Sequence, residues 1–142
     1  RLDEENWPYD HSYRISREYM EDKKQKTPTL EVFIDLHRDS IAKDAATVKI
    51  NGKSYAKVMF LVGKENKTYK ENEMHINKME DWLKDNYPSL LRNRYYRDYV
   101  YNQDFTDTTF LLELGSNNNT LEEVTNTIEV VSKMFYEWYK KL

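Results

Sequence analysis

The spacing of apolar residues changes several times along this chain, and each change marks an element. At the C-terminal end Leu121, Val124, Ile128, Val131, Phe135, Trp138 and Leu142 recur every three or four residues, which predicts a helix with one apolar stripe. Thr120 and Glu123 stand where a capping box would open it. "TYKENEMHINKMEDWLKDNYP" (68–88) also reads as a helix, stopped before Pro88 because proline disfavours helical backbone at the residue preceding it. "DHSYRISREYMEDKKQK" (10–26) predicts a short amphipathic helix, with Asp10 or Ser12 as its N-cap and Tyr13, Ile15 or Ser16, Tyr19 and Met20 facing inward.

Between the helices the apolar runs are shorter and denser. "TPTLEVFIDLH" (27–37) predicts a strand, and its lack of alternation suits a central position with both faces covered. "TVKINGKSYAKVMFLVG" (47–63) places Asn51-Gly52 between two β-rich arms, a tight hairpin in which both turn residues take positive φ. The second arm, Tyr55 to Val62, is apolar enough to continue into a main sheet. "RYYRDYVYNQDF" (94–105) predicts a strand or extended segment, and "TTFLLELG" (108–115) another buried strand. Helix, strand, hairpin, helix, strand, helix is an α/β pattern. It predicts a mostly parallel or mixed central sheet with helices on both faces.

Composition narrows the picture. A chain of 142 residues is the size of one domain, and residues 1–142 are read as one. The net charge is −3 with basic residues scattered among acids, which gives no nucleic-acid footprint. With no cysteine, disulfides, thiolate zinc sites and a cysteine nucleophile are excluded. No run approaches the length of a membrane span, and "RLDEENW" does not resemble a signal peptide. The twelve tyrosines suit core edges and interfaces, with a sugar-stacking groove as the other reading.

Two strands end in ionisable groups that their apolar pattern does not require. Alternation puts Phe33, Asp35 and His37 on one face of the first, and Leu111 and Glu113 on one face of the other. Both groups lie at carboxyl ends, where open α/β sheets bind ligands. A neutral imidazole is a common zinc ligand, oriented by a carboxylate such as Asp35 or Asp39. A glutamate beside a metal can move protons between water and a leaving amine. Spacing alone does not separate this reading from structural pairing with Arg38 or Arg97. His11 and His75 lie at no strand end; they read as a cap or surface residue and a solvated helix residue.

The motifs "IDLHRDS" (34–40), "KINGKSYAKVMFLVGKEN" (49–66), "YNQDF" (101–105) and "LLELGSNNNTLEEVTNT" (111–127), in this order, resemble the stage II sporulation protein P family. That family resembles zinc N-acetylmuramoyl-L-alanine amidases of the amidase-3 type, credited with amidase and endopeptidase action on peptidoglycan during engulfment. The resemblance implies His37 as a zinc ligand and Glu113 as the catalytic glutamate, with Asp35, Arg38, Asp39, Asn66 and Asn102 near the cleft. It also implies peptidoglycan stem peptides as substrate and a partner like the stage II sporulation protein D transglycosylase. The implied location is the septal or forespore intermembrane space, reached through a membrane anchor outside this sequence. The family's opening strand, with a "HTHTSE"-like motif supplying further ligands, has no counterpart in residues 1–28. The chain is therefore expected to be the C-terminal part of the amidase domain, lacking its first strand, with an incomplete zinc site and weak or no activity of its own. Two alternatives stay open: a binding module for wall or partner that has lost the metal, and a zinc carboxypeptidase-like peptidase.

Overall fold

The structure is a computed structural model and describes residues 9–142. The elements run α1 Tyr9–Lys26, β1 Phe33–Asp39, α2 Lys43–Ala46, β2 Thr47–Ile50, β3 Lys53–Ala56, β4 Val58–Gly63, α3 Tyr69–Asn86, a 3-10 turn Pro88–Leu90, β5 Tyr95–Arg97, β6 Thr109–Ser116 and α4 Leu121–Tyr139. The main sheet has the order β1-β6-β4-β5, and β2 and β3 form a separate two-stranded sheet. β1 and β6 are parallel, β6 and β4 antiparallel, and β4 and β5 parallel, so the sheet is mixed.

Each face of the sheet follows from strand alternation. Val58, Phe60 and Val62 of β4 join Phe110, Leu112 and Leu114 of β6 on one side. There they meet Ile76, Met79 and Leu83 of α3 and Val130, Val131, Met134 and Trp138 of α4 in the principal core. On the other side Leu61 and Leu111 lie under Tyr101 and Tyr13, the latter from α1. Helices thus cover both faces.

The hairpin turn forms as expected, with Asn51 at φ 50° and Gly52 at φ 79°. Its second arm is not one strand. It breaks at Lys57, whose N–H donates to Ala46 O while its carbonyl accepts from Gly115 N–H. This break lets β3 stay with the hairpin and β4 turn into the main sheet. α3 ends at Asn86, before Pro88.

Four expectations are corrected. β1 is an edge strand, paired only with β6 among the described residues, and Ile34 and Leu36 are 42% and 51% exposed. An unalternating apolar run signals burial on both faces, but α3 and α4 do not reach over this edge.

α4 follows its predicted stripe in part: Val131 and Trp138 are buried and Val124 and Phe135 pack against the core. Leu121 is 81% and Ile128 41% exposed, and Leu142 is exposed too, whereas Asn126, Thr127, Val130 and Met134 are buried. The polar side chains turn inward because acceptors await them: Asn126 Nδ2 donates to Ser54 O at 2.9 Å and Thr127 Oγ1 to Ala56 O at 2.7 Å. A buried polar group with a partner costs little, so hydrogen bonds to β3 decide the helix's rotation.

α1 is already helical at Tyr9, so neither Asp10 nor Ser12 caps it, and Tyr19 faces solvent. The capping box of α4 does form: Glu123 N–H donates to Thr120 Oγ1 and Thr120 N–H to Glu123 Oε2. His75 is not a solvated helix residue. Trp138 Nε1 donates to its Nδ1 at 3.3 Å, and its ring lies edge-on to Trp138 and Phe110.

Two predictions follow from these contacts. Burial, with Lys78 adding to it against an opposing pull from Asp107, lowers the His75 pKa from its ordinary value of 6.5. The unfolded chain then takes up the proton first, so stability falls as pH drops through 6.5 toward the folded value. His37, whose pKa is raised, acts in the opposite sense in wild type and His75→Phe alike. Between pH 7.5 and 5.5 the wild type should therefore lose more stability in urea, or gain less, than His75→Phe. At Gly115, φ is +64° and a Cβ would run into Asn119 Oδ1 and sit 2.7 Å from Ala56 Cβ. At Gly52 a Cβ would meet nothing within 4 Å. Gly52→Ala should cost about 1 kcal/mol from left-handed strain, and Gly115→Ala more than about 3 kcal/mol because overpacking adds to it.

Candidate functional site

The β1–β6 ladder pairs His37 directly with Glu113 and Asp35 with Leu111. Residues opposite one another in a parallel pair share a face, so the imidazole and the carboxylate rise side by side from neighbouring strand ends. Asp35, two residues before His37, is on the same face. Its Oδ2 lies 3.0 Å from His37 Nε2. This hydrogen bond is the main reason the His37 pKa is raised; burial works against it, and the charges of Asp35 and Glu113 add to it. With Asp35 accepting from Nε2–H, the neutral ring keeps its lone pair on Nδ1.

After His37 the register slips: Asp39 pairs with Ser116, so β6 carries an extra residue around Gly115. This bulge sets where Asp39 sits. Asp39 Oδ2 lies 2.9 Å from Arg92 Nη1. Arg92 is anchored at the other side of β6, where its N–H donates to Val58 O at 2.7 Å, so its side chain reaches across β6 to β1. Glu113, beneath that span, has its pKa raised chiefly by burial, with Asp39 and Asp35 adding and His37 and Arg92 opposing. Two buried side-chain atoms among the described residues have no hydrogen-bond partner, Glu113 Oε2 and Arg92 Nη1, the latter close to Asp39 but out of line with it. An unsatisfied buried polar atom costs about 1–3 kcal/mol, which falls on Glu113 Oε2, whereas Arg92 Nη1 keeps the Asp39 charge beside it.

Arg38 points the other way along the strand and is not part of this cluster. It donates to Ser116 O (3.0 and 2.7 Å) and Asn119 O, holding the β6–α4 loop. Arg97 packs on the Tyr95 ring and not against either acid of the site. The cation of the site is Arg92, which no periodicity in "SLLRNR" singles out. Asn66 is buried elsewhere, bonded to Asn72 Oδ1, Gln103 O and Thr68. Asn102, at φ 58°, donates to Tyr13 O at 2.8 Å and so tethers α1. Tyr13 lies parallel to the His37 ring, 6.2 Å between centroids. Tyr101 and Tyr99 extend the aromatic row at 5.4 Å intervals. An apolar cavity of ≈ 520 Å³ lies between α1 and β1, with Asp35 and Asn102 in its lining.

For zinc, the donor set is the test. A catalytic zinc takes three protein ligands. Among the described residues no three histidine, cysteine or acidic side chains gather closely enough to hold an ion. His37 offers a free Nδ1, but on their own these residues do not fit a resident zinc ion.

The family model for stage II sporulation protein P matches residues 2–136. The chain belongs to the stage II sporulation protein P family. It is 35% identical to stage II sporulation protein P of Bacillus subtilis (strain 168) over 144 aligned residues, covering 98% of this chain and 36% of that protein. It thus spans about a third of the length of that relative. No solved structure matches it. No helix among its described residues is long and apolar enough to cross a membrane.

The Asp35 contact can be tested directly. Asp35→Asn should lower the His37 pKa, read from imidazole shifts in an NMR titration, because the largest raising influence is removed. An unmoved pKa would show that the Asp35–His37 bond does not persist in solution.

Proposed function

We propose that this chain is the C-terminal part of a peptidoglycan amidase domain, hydrolysing the amide between muramoyl lactate and the first alanine of the stem peptide. The observation that carries this reading is the direct cross-strand pairing of His37 and Glu113. Membership of the stage II sporulation protein P family supplies the biological setting, sporulation.

In this reading Glu113 is the proton carrier. Water's oxygen bonds to the carbonyl carbon as Glu113 Oε2 takes its proton; the C–N bond then breaks and that proton passes to the leaving nitrogen. A carboxylate whose pKa is raised by burial is suited to both halves of that exchange. Asp35 holds the His37 ring, and Tyr13 covers it. His37 is the residue of this chain suited to ligate zinc through Nδ1, in company with donors outside the described residues. Among the described residues β1 pairs only with β6, and an edge strand can accept another strand. Tyr99, exposed at the end of the tyrosine row, suits the sugar portion of the substrate, with the buried Tyr101 backing it. The setting we propose is extracytoplasmic and membrane-anchored, at the septum or in the forespore intermembrane space, with peptide cross-link cleavage as a further activity and a transglycosylase like stage II sporulation protein D as partner.

That the donor set is incomplete among the described residues leaves a second reading, a module that binds wall peptides or a partner without cleaving them. Zinc content and cleavage of purified muropeptides, measured for the full-length gene product, separate the two. Under the amidase reading His37→Ala loses zinc, while Glu113→Gln keeps zinc and loses roughly 10²–10⁴ in rate. A Glu113→Gln protein that cleaves at the full rate removes the proton-transfer assignment. A zinc-free, inactive wild type that still binds muropeptides establishes the module.

A further inference from the structure

Arg92 is the one residue of the cluster to which neither the motifs nor the strand pattern assigns a role. Its backbone is fixed. Leu90, two residues earlier, is fully buried, Leu91 bridges to Val58, and the Arg92 N–H closes a bond to Val58 O. The side chain then crosses β6 to Asp39.

A guanidinium so close to Glu113 has an obvious partner in it. Charge-assisted bonds between arginine and carboxylate are strong, and a purely structural pair would form one. Here it is absent. Arg92 Nη1 lies beside Asp39, and both Nη1 and Glu113 Oε2 are buried without an aligned partner. The Asp39 carboxylate, placed by the bulge at Gly115, draws the guanidinium aside and leaves Glu113 to itself.

The two atoms left over are complementary. One is a donor and one an acceptor, on one face of the sheet at one end of β6. A secondary amide offers the matching pair: a carbonyl oxygen that accepts and an N–H that donates. From this we infer that Arg92 is a substrate-contacting catalytic residue: its Nη1–H hydrogen-bonds the carbonyl oxygen of the scissile amide, opposite Glu113 on the nitrogen side. The inference rests on the amide-hydrolysis reading above.

The step that benefits is addition. As the water oxygen bonds to the carbonyl carbon, the carbonyl π electrons move onto oxygen, and the proton goes to Glu113. When the C–N bond breaks, that negative charge re-forms C=O and the proton leaves with the amine. A fixed donor aimed at the oxygen stabilises the charged stage more than the neutral one, so its removal lowers kcat more than it raises KM. A tether that only held the β1 edge would lower stability and leave that ratio alone.

The experiment uses the full-length gene product and N-acetylmuramoyl-L-alanyl-D-isoglutamine as probe, with urea midpoints recorded for each variant. Arg92→Ala should lose about 10²–10³ in kcat with KM changed by less than about threefold, and added guanidinium should restore part of the rate. Arg92→Lys, which keeps the charge beside Asp39, covers the case in which Arg92→Ala does not fold. It should retain the urea midpoint and still lose at least about tenfold in kcat. A wild type that cleaves the probe while Arg92→Lys matches its kcat overturns the role of Arg92 and leaves the amidase reading standing. A wild type that does not cleave the probe, whether or not it binds it, overturns both.

Discussion

The parallel pairing of β1 with β6 is the constraint on which the site depends. Side chains alternate with a period of two, so a slip of one residue would send His37 to the far face and bring Arg38 round beside Glu113. Register is held at both ends of the pairing. At the start Phe33 N–H donates to Thr108 O, and Thr106 and Thr108 hydroxyls donate to Glu31 O. At the end Asn117 N–H donates to Asp39 O and Arg38 grips the carbonyls of Ser116 and Asn119. Arg38 thus matters to the site without being in it.

Around that ladder, charge is organised by burial and by competition. Burial pushes the Glu113 carboxyl toward its neutral form, His37 and Arg92 pull it back, and Asp39 takes the nearer share of the guanidinium. Asp35 hydrogen-bonds His37 and, with Asp39, adds its charge to those acting on Glu113. The result is three acids in one small region with three separate environments, the condition under which acids of one chemistry acquire different roles. The aromatic cover contributed by Tyr13 comes from α1, held by Asn102 and by the Arg17–Asp104 ion pair at 2.7 Å.

Much of this arrangement is legible from local rules, and the failures have a common cause. The hairpin at Asn51-Gly52, the capping box at Thr120 and Glu123 and the stop before Pro88 depend on residues a few positions apart. The meeting of His37 and Glu113 was readable for a similar reason: two strand ends and one period suffice. What escaped depends on distant partners. Asn126 and Thr127 turn inward only because Ser54 and Ala56 present carbonyls, and Ile34 and Leu36 are exposed because α3 and α4 stop short of the edge. Arg92 joins the site from a loop far along the chain. Asn66 sits in a matching motif, yet its amide is committed to Asn72, Thr68 and the Gln103 backbone, a structural role that involves no substrate.

The close approach of Gly115 to Ala56 has a mechanical meaning. Most elements of a protein rest on one another through side chains that can change rotamer and absorb a small displacement. Between the hairpin strand and the bulge there is no such cushion, since neither residue has more than a methyl group to give. Ala56 is also where α4 is footed, through the hydroxyl of Thr127. Helix, hairpin and bulge are therefore stacked nearly backbone on backbone, so the position of the C-terminal helix is tied closely to the bulge that sets Asp39 at the end of β1.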